Sequence, residues 1–224
     1  MDKTNKLAIF YHVGQVNNWM DICNEQMALL DESGLLEAVD LLHIGINGPF
    51  LMQSDIEKIK PVLNDQNNWL EETPTMRSLL KFAEENDGYK ILYMHTKGVT
   101  HYGDGAASWR RLMQYFCIEK WEEAISHLPE YDAVGTNYVE EHYWGRKPHF
   151  SGGFWWTTSE HVRTLDHTYL DSELRYDREF WIGSGGGKMY NLHGDGVQEY
   201  AREYPEHLYK FDAETFFRPD WPTP

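Results

Sequence analysis

The chain has 224 residues, of which 41% are hydrophobic and 25% charged, and its formal charge is -16. That length supports one good core. The acidic balance argues against broad electrostatic binding to nucleic acid or anionic lipid, although a few local cations would still suffice for an anionic small molecule. No apolar run approaches the roughly 18–20 residues that span a bilayer. Residues 1–6 (MDKTNK) carry no apolar leader segment, and Cys23 and Cys117 stand far apart in helix-like patterns. The expectation is a cytoplasmic protein with two reduced, buried thiols, no membrane insertion and no nucleic-acid partner.

Residues 7–13 (LAIFYHV) form a short apolar run of strand formers. Asn17-Asn18 then precede a helical pattern that ends near Ser33-Gly34, with asparagine as N-cap and glycine just past the C-terminus. Residues 39–46 (VDLLHIGI) read as a strand stopped by Asn47-Gly48-Pro49. Residues 54–63 read as a short helix interrupted near Pro61, and 68–71 as a short strand. Thr73-Pro74-Thr75 opens a helix over 76–85, where proline in the first turn removes only a donor that has no partner. Residues 89–94 (YKILYM) are a strand running into His95-Thr96-Lys97-Gly98. Ser108 is expected to cap a long helix over 109–128, followed by strands at 131–138 (YDAVGTNY) and 149–156 (HFSGGFWW) and a helix at 159–165. Residues 183–187 read as a loop and 218–224 as a proline-rich tail.

Strands alternating with helices imply an α/β fold, a mostly parallel central sheet with helices on both faces. Such sheets bind ligands beyond the carboxyl ends of their strands, which directs attention to residues 11–13, 95–98 and 137–138. The chain reads as a single domain over 1–224, with a ligand-binding part at 1–138 and a second part with the tail at 139–224. Lys97 offers a compact cation for phosphate, while Thr96 and Gly98 offer a hydroxyl donor and close backbone approach; the plainer reading is a strand-end turn with a solvated lysine. In 149–156, two glycines inside an aromatic strand permit a bulge. Alternation sends Trp155 and Trp156 to opposite faces, one to the core and one to a cleft. There Ser151, Gly152 and their backbone could meet sugar hydroxyls. The eleven histidines show no His-x3-His pair, and there is no Cys/His cluster. Residues 183–188 (GSGGGK) lack the phosphate-loop pattern because Met189 follows the lysine, so a loop closing over substrate is the better reading.

Residues 89–101 (YKILYMHTKGVTH), 148–156 (PHFSGGFWW) and Arg175 with Glu179-Phe180-Trp181-Ile182 occur in an order that resembles a GT-A-fold family. These are glycosyltransferases of polysaccharide-building bacteria and large algal viruses, related to rhamnan-synthesis proteins. Tyr11-His12, Asn17-Asn18-Trp19, Ser33-Gly34-Leu35 and Pro74-Thr75 add to the likeness, which spans nearly the whole chain. The resemblance implies a GT-A-like nucleotide-binding sandwich. Its implied activity is transfer of a hexosyl group from a nucleoside-diphosphate sugar, with UDP the first choice, to a saccharide acceptor in polysaccharide synthesis. Other glycan-synthesis enzymes or domains are candidate partners.

The same resemblance implies donor binding by Tyr11, His12, Val13, Arg77, His95, Thr96, Lys97 and Gly98, with Tyr11 stacking on the base or, alternatively, packing under the next helix. It implies sugar contacts from His149, Ser151, Gly152, Trp155 and Trp156. It makes Glu179 the base that takes the acceptor proton, with Asp177 the nearby alternative and Arg175 an orienting cation. Such enzymes usually hold a divalent metal on an Asp-x-Asp motif where this chain has His95-Thr96-Lys97. The expectation is therefore metal-independent donor binding, with Mn or Mg held by phosphates and His95 as the alternative. A non-catalytic carbohydrate- or nucleotide-sugar-binding module is the competing function.

Overall fold

The computed structural model describes residues 6–66, 70–100, 103–140, 147–194 and 203–210. The elements run β1 (Lys6–Gly14), α1 (Trp19–Glu32), α2 (Leu35–Ala38), β2 (Leu41–Asn47), β3 (Ile59–Asp65), α3 (Thr73–Glu85), β4 (Tyr89–His95) and α4 (Asp104–Gln114). A π turn (Tyr115–Glu119) follows, then α5 (Trp121–Ser126), β5 (Ala133–Thr136), β6 (Tyr138–Val139), β7 (His149–Phe150), β8 (Trp155–Thr158), α6 (Ser159–Val162), α7 (Tyr176–Phe180) and β9 (Met189–His193).

Seven strands form one sheet in the order β3-β2-β1-β4-β8-β5-β9, and β6 pairs with β7 in a second, two-stranded sheet. Within the large sheet the β1–β2, β1–β4, β2–β3 and β5–β9 pairs are parallel, and only β8 runs against its neighbours β4 and β5. This is the expected α/β architecture, a mostly parallel central sheet with helices on both faces. Strands from both sides of residue 138 share the sheet. Its central strands are buried on both faces, as parallel strands covered by helices must be. One face packs Tyr11, Val13, Leu92, Met94 and Trp156 against Cys23 and Leu30 of α1, Trp109 and Leu112 of α4 and Ile125 of α5. The other packs Phe10, Ile91, Tyr93 and Trp155 against Met76 and Leu79 of α3 and Val162 of α6. Trp155 and Trp156 do point to opposite faces, but both are buried.

Several expected elements differ, each for a local reason. Residues 59–65 form edge strand β3 rather than a helix. Ile56, Ile59 and Leu63 mimic a helical stripe, but Pro61 is tolerated because β3 pairs on one side only, with β2. The long helix begins at Asp104, not after Ser108, and the π turn breaks it. Ser108 lies inside α4, where its Oγ donates to Gly105 O (3.0 Å) and accepts from the Tyr204 N–H (3.0 Å). The strand expected at 131–138 stops at Thr136 because Asn137 takes a left-handed φ of 53°. The strand expected at 149–156 is two short strands separated by a turn, with Gly152 and Gly153 at φ 100° and 76°. Of the strand expected at 68–71, residues 68 and 69 lie outside the described residues, and Glu71 is a turn residue at φ 46°. The tail at 218–224, His101 and His142 also lie outside them. Among the described residues no helix is long and apolar enough to cross a membrane.

Candidate functional site

β1 leads through α1 to β2 on one side, while β4 adds to the other side of β1. The strand order reverses between them, and that is where an open α/β sheet leaves a crevice at its carboxyl edge. A cleft of about 290 Å³ occupies this place. Its floor is His12 and Gly14 from the end of β1 and His95-Thr96-Lys97-Gly98 from the end of β4. The start of α3 supplies Glu72 and Met76, the turn before β8 supplies Gly152 and Gly153, and α7 with its preceding residue supplies Arg175, Arg178 and Glu179.

The floor is held by a dense set of hydrogen bonds. The Thr96 N–H donates to His12 O (3.0 Å), and Thr96 Oγ1 accepts from the Gly14 N–H (3.1 Å). Gln26 Nε2 donates to His95 O (3.1 Å), and Gln26 Oε1 accepts from Tyr11 Oη (2.6 Å). Arg110 Nη1 donates to Lys97 O (3.2 Å), while its Nε and Nη2 grip both oxygens of Glu25 at 3.1 and 3.0 Å. That fork-on-carboxylate geometry is the strong form of the pair. Gly98 sits at φ 94°, and a Cβ there would lie 3.2 Å from Arg110 Nη1, so two constraints favour glycine.

The charges inside are mixed. His95 Nδ1 stands 3.1 Å from Glu72 Oε1, and His12 Nδ1 lies 3.1 Å from Thr75 Oγ1. Burial alone would raise the Glu72 carboxyl, but the contact with His95 and the nearby His12 and Lys97 outweigh it and bring it to about 2. Burial pushes the His12 imidazole down to about 4, with Glu72 opposing and His95 reinforcing. The Lys97 ammonium lies 4.4 Å from the centre of the Trp109 ring. Burial draws its pKa down, against the pull of Glu179 and Glu72 and with the push of Arg175. On the opposite wall, Glu179 Oε1 accepts from the Gly152 N–H at 2.9 Å. Arg178 Nε donates to Thr73 Oγ1 (2.9 Å), and Arg175 Nε stands 3.4 Å from Glu71 Oε1. These contacts tie α7 to the start of α3.

Of the residues expected here, the fold brings together His12, His95, Thr96, Lys97, Gly98, Gly152, Trp155 and Glu179. It does not bring Tyr11, Val13, Arg77, His149, Ser151, Trp156 or Asp177 to the cleft lining. Tyr11 and Val13 are fully buried in the core and, unlike the residues named above, do not line the cleft. Tyr11 instead acts on the floor through Gln26. Arg77 is exposed and bonds Asp171 and Leu170 O. The indole of Trp156 donates to Cys117 O (2.8 Å). His149 is buried with Nδ1 2.7 Å from Lys147 O and its ring against Phe180, beneath α7. Ser151 is buried, with its N–H on Asn137 O (3.0 Å). The glycine-rich loop at 183–187 is likewise absent from the lining, and next to it the Lys188 N–H donates to Asp132 Oδ2 (2.7 Å).

Sequence reasoning missed Glu72, Tyr93, Trp109, Arg110 and Arg178. Two of them carried a signal. Glu72 directly precedes the Thr73-Pro74 helix start, and Tyr93 lies two residues before His95 on the same strand face. Among the described residues no cluster of three or more His, Cys, Asp or Glu side chains could hold a metal ion. Where the resembled family has Asp-x-Asp, this chain has a histidine paired with Glu72 and a lysine, so that segment itself offers no carboxylate to a divalent cation.

No curated protein matches the chain. Among solved structures it is similar to one titled "Crystal structure of 4-diphosphocytidyl-2C-methyl-D-erythritol synthase", at 12% identity over 92% of this chain and 96% of that chain, with a TM-score of 0.46. A family model described as "Domain of unknown function (DUF8361)" matches residues 8–171, and the chain belongs to that family.

Proposed function

We propose that the chain is a glycosyltransferase using a nucleoside-diphosphate sugar, and that its donor diphosphate lies on the His95–Gly98 floor. One observation carries this reading. Lys97 stands at the carboxyl ends of β1 and β4, in the crevice where the strand order reverses, within electrostatic reach of the Glu179 carboxylate on the opposite wall. In a chain of net charge -16, Lys97, Arg175 and Arg178 line this cleft together with Glu71, Glu72 and Glu179.

In this reading Lys97 and Arg175 offset the diphosphate charge, which grows as the leaving group departs. The acceptor oxygen forms a bond to the sugar C1, and its proton passes to Glu179. The C1–O bond to the diphosphate breaks, and its electron pair leaves with the nucleoside diphosphate. Glu179 is fixed for this role by the Gly152 N–H. No step is assigned to a metal in this reading.

The test is to mix the protein with UDP-, dTDP- and GDP-hexoses, with and without saccharides, and measure nucleoside diphosphate release before and after dialysis against chelator. Acceptor-dependent release that survives chelation is expected. Release without acceptor would make it a hydrolase, binding without release a recognition module, and loss on chelation restored by manganese would overturn the metal-free reading.

A further inference from the structure

On the α3 face of the sheet the cleft is lined by a side chain whose polar atom has no hydrogen-bond partner among the described residues. Tyr93 lies on β4 two residues before His95, so both side chains project to the same face. The Tyr93 ring is stacked on Trp155 (centroids 4.9 Å, 25° between planes) and meets the His95 ring edge-on at 6.3 Å. Tyr93 is 0% exposed, yet it lines the cleft beside Glu72, Met76 and Trp155. Among the described residues, nothing hydrogen-bonds its Oη. A buried hydroxyl left unpaired is costly, and such groups in native proteins call for an explanation.

The surroundings select the chemistry of the missing partner. A phenol O–H is a donor, and the neighbouring Glu72 carboxylate accepts only, with lone pairs beyond those turned to His95. A neutral alcohol does both, accepting from Tyr93 and donating to Glu72. A phosphate cannot donate to Glu72 and is repelled by its charge, and an ammonium cannot accept from Tyr93. Met76 and Trp155 add apolar surface of the kind that covers the carbon face of a sugar ring.

We propose that Tyr93 Oη and the Glu72 carboxylate recognise one hydroxyl of the transferred sugar, so that this pocket sets donor-sugar specificity. The inference rests on the nucleotide-sugar reading and deepens it. Tyr93→Phe deletes only the unpaired oxygen. Calorimetric titration of UDP, dTDP and GDP and of their hexose conjugates into wild type and variant is the test. The free diphosphate should bind both proteins within about twofold, and the sugar conjugate should bind the variant about tenfold more weakly. The variant's Tm should equal or exceed that of wild type. A conjugate lacking the recognised hydroxyl should bind both proteins alike. Equal affinity of every conjugate for both proteins, with diphosphate binding retained, overturns the sugar-hydroxyl inference and leaves the nucleotide-sugar reading standing. A drop in Tm with all ligands weakened alike also overturns it, by making the hydroxyl structural. Failure of wild type to bind any of the diphosphates removes the reading and the inference together.

Discussion

The two walls of the cleft are built differently. The strand-end wall is backbone fixed by backbone and by buried side chains: Thr96 joins β4 to β1, and Gln26 and Arg110 hold the carbonyls of His95 and Lys97. The α7 wall is a five-residue helix tied down by Arg178 on Thr73, Arg175 near Glu71 and Glu179 on Gly152. Arg175 is itself 64% exposed, and surface pairs of that kind contribute little, about 0–1 kcal/mol. The first wall is suited to holding the proposed diphosphate in one place while its bond to the sugar breaks. The second is tied down by side chains, and it carries the carboxylate proposed to take the proton.

The largest effect that separates the walls belongs to Glu179. Glu179→Gln should lower turnover by roughly 10²–10⁴-fold while leaving diphosphate affinity within about twofold. Near-normal turnover in a coupled release assay would remove Glu179 as the base.

Next is the support under the rigid wall. The Arg110 side chain is only 8% exposed while Glu25 is 37% exposed. Arg110→Ala strands a half-buried carboxylate and unpins Lys97 O. It should cost about 3 kcal/mol, the low end for a broken buried pair, read as a shift in the urea midpoint. A change under 0.5 kcal/mol would show that the wall is held without it.

Acid should strike the same wall. His12 is held down to about 4 from an ordinary value of 6.5. Between those pH values the unfolded chain binds the extra proton, so stability falls as pH falls. Glu72, held at about 2 against an ordinary 4.5, acts lower. Its contribution is whole above about 4.5 and is lost as pH falls towards 2. His12→Asn should flatten the stability profile between pH 6.5 and 4, by up to roughly 3 kcal/mol, and leave the loss below about 4.5 in place. An unchanged upper limb would contradict this account of His12.

The difference between the walls also explains what could be read beforehand. β1, β4, α3 and the position of His95–Gly98 at a strand end were legible because buried parallel strands are continuous apolar runs ending in polar residues. The partners of that segment were not, because Gln26 and Arg110 lie 69 and 13 residues from the carbonyls they hold. Nothing local marks Gln26 in a helix stripe as an anchor. Tyr11 fell at the right strand but on its core-facing side, since a two-residue period decides which neighbour faces the crevice and which the core. The Ser151-Gly152-Gly153 segment announced a backbone irregularity, yet not that it would place an N–H on Glu179 and, at Gly153, leave a Cβ position 3.0 Å from the His95 ring.

The central claim is that the rigid wall binds a diphosphate through Lys97. Calorimetric titration of UDP into wild type and Lys97→Met, both in the presence of chelator, tests it most directly. The account predicts binding to wild type without metal and an affinity at least about tenfold lower in the variant, with little change in Tm. Equal UDP affinity in the two proteins, or binding to wild type only when manganese is restored, would contradict it.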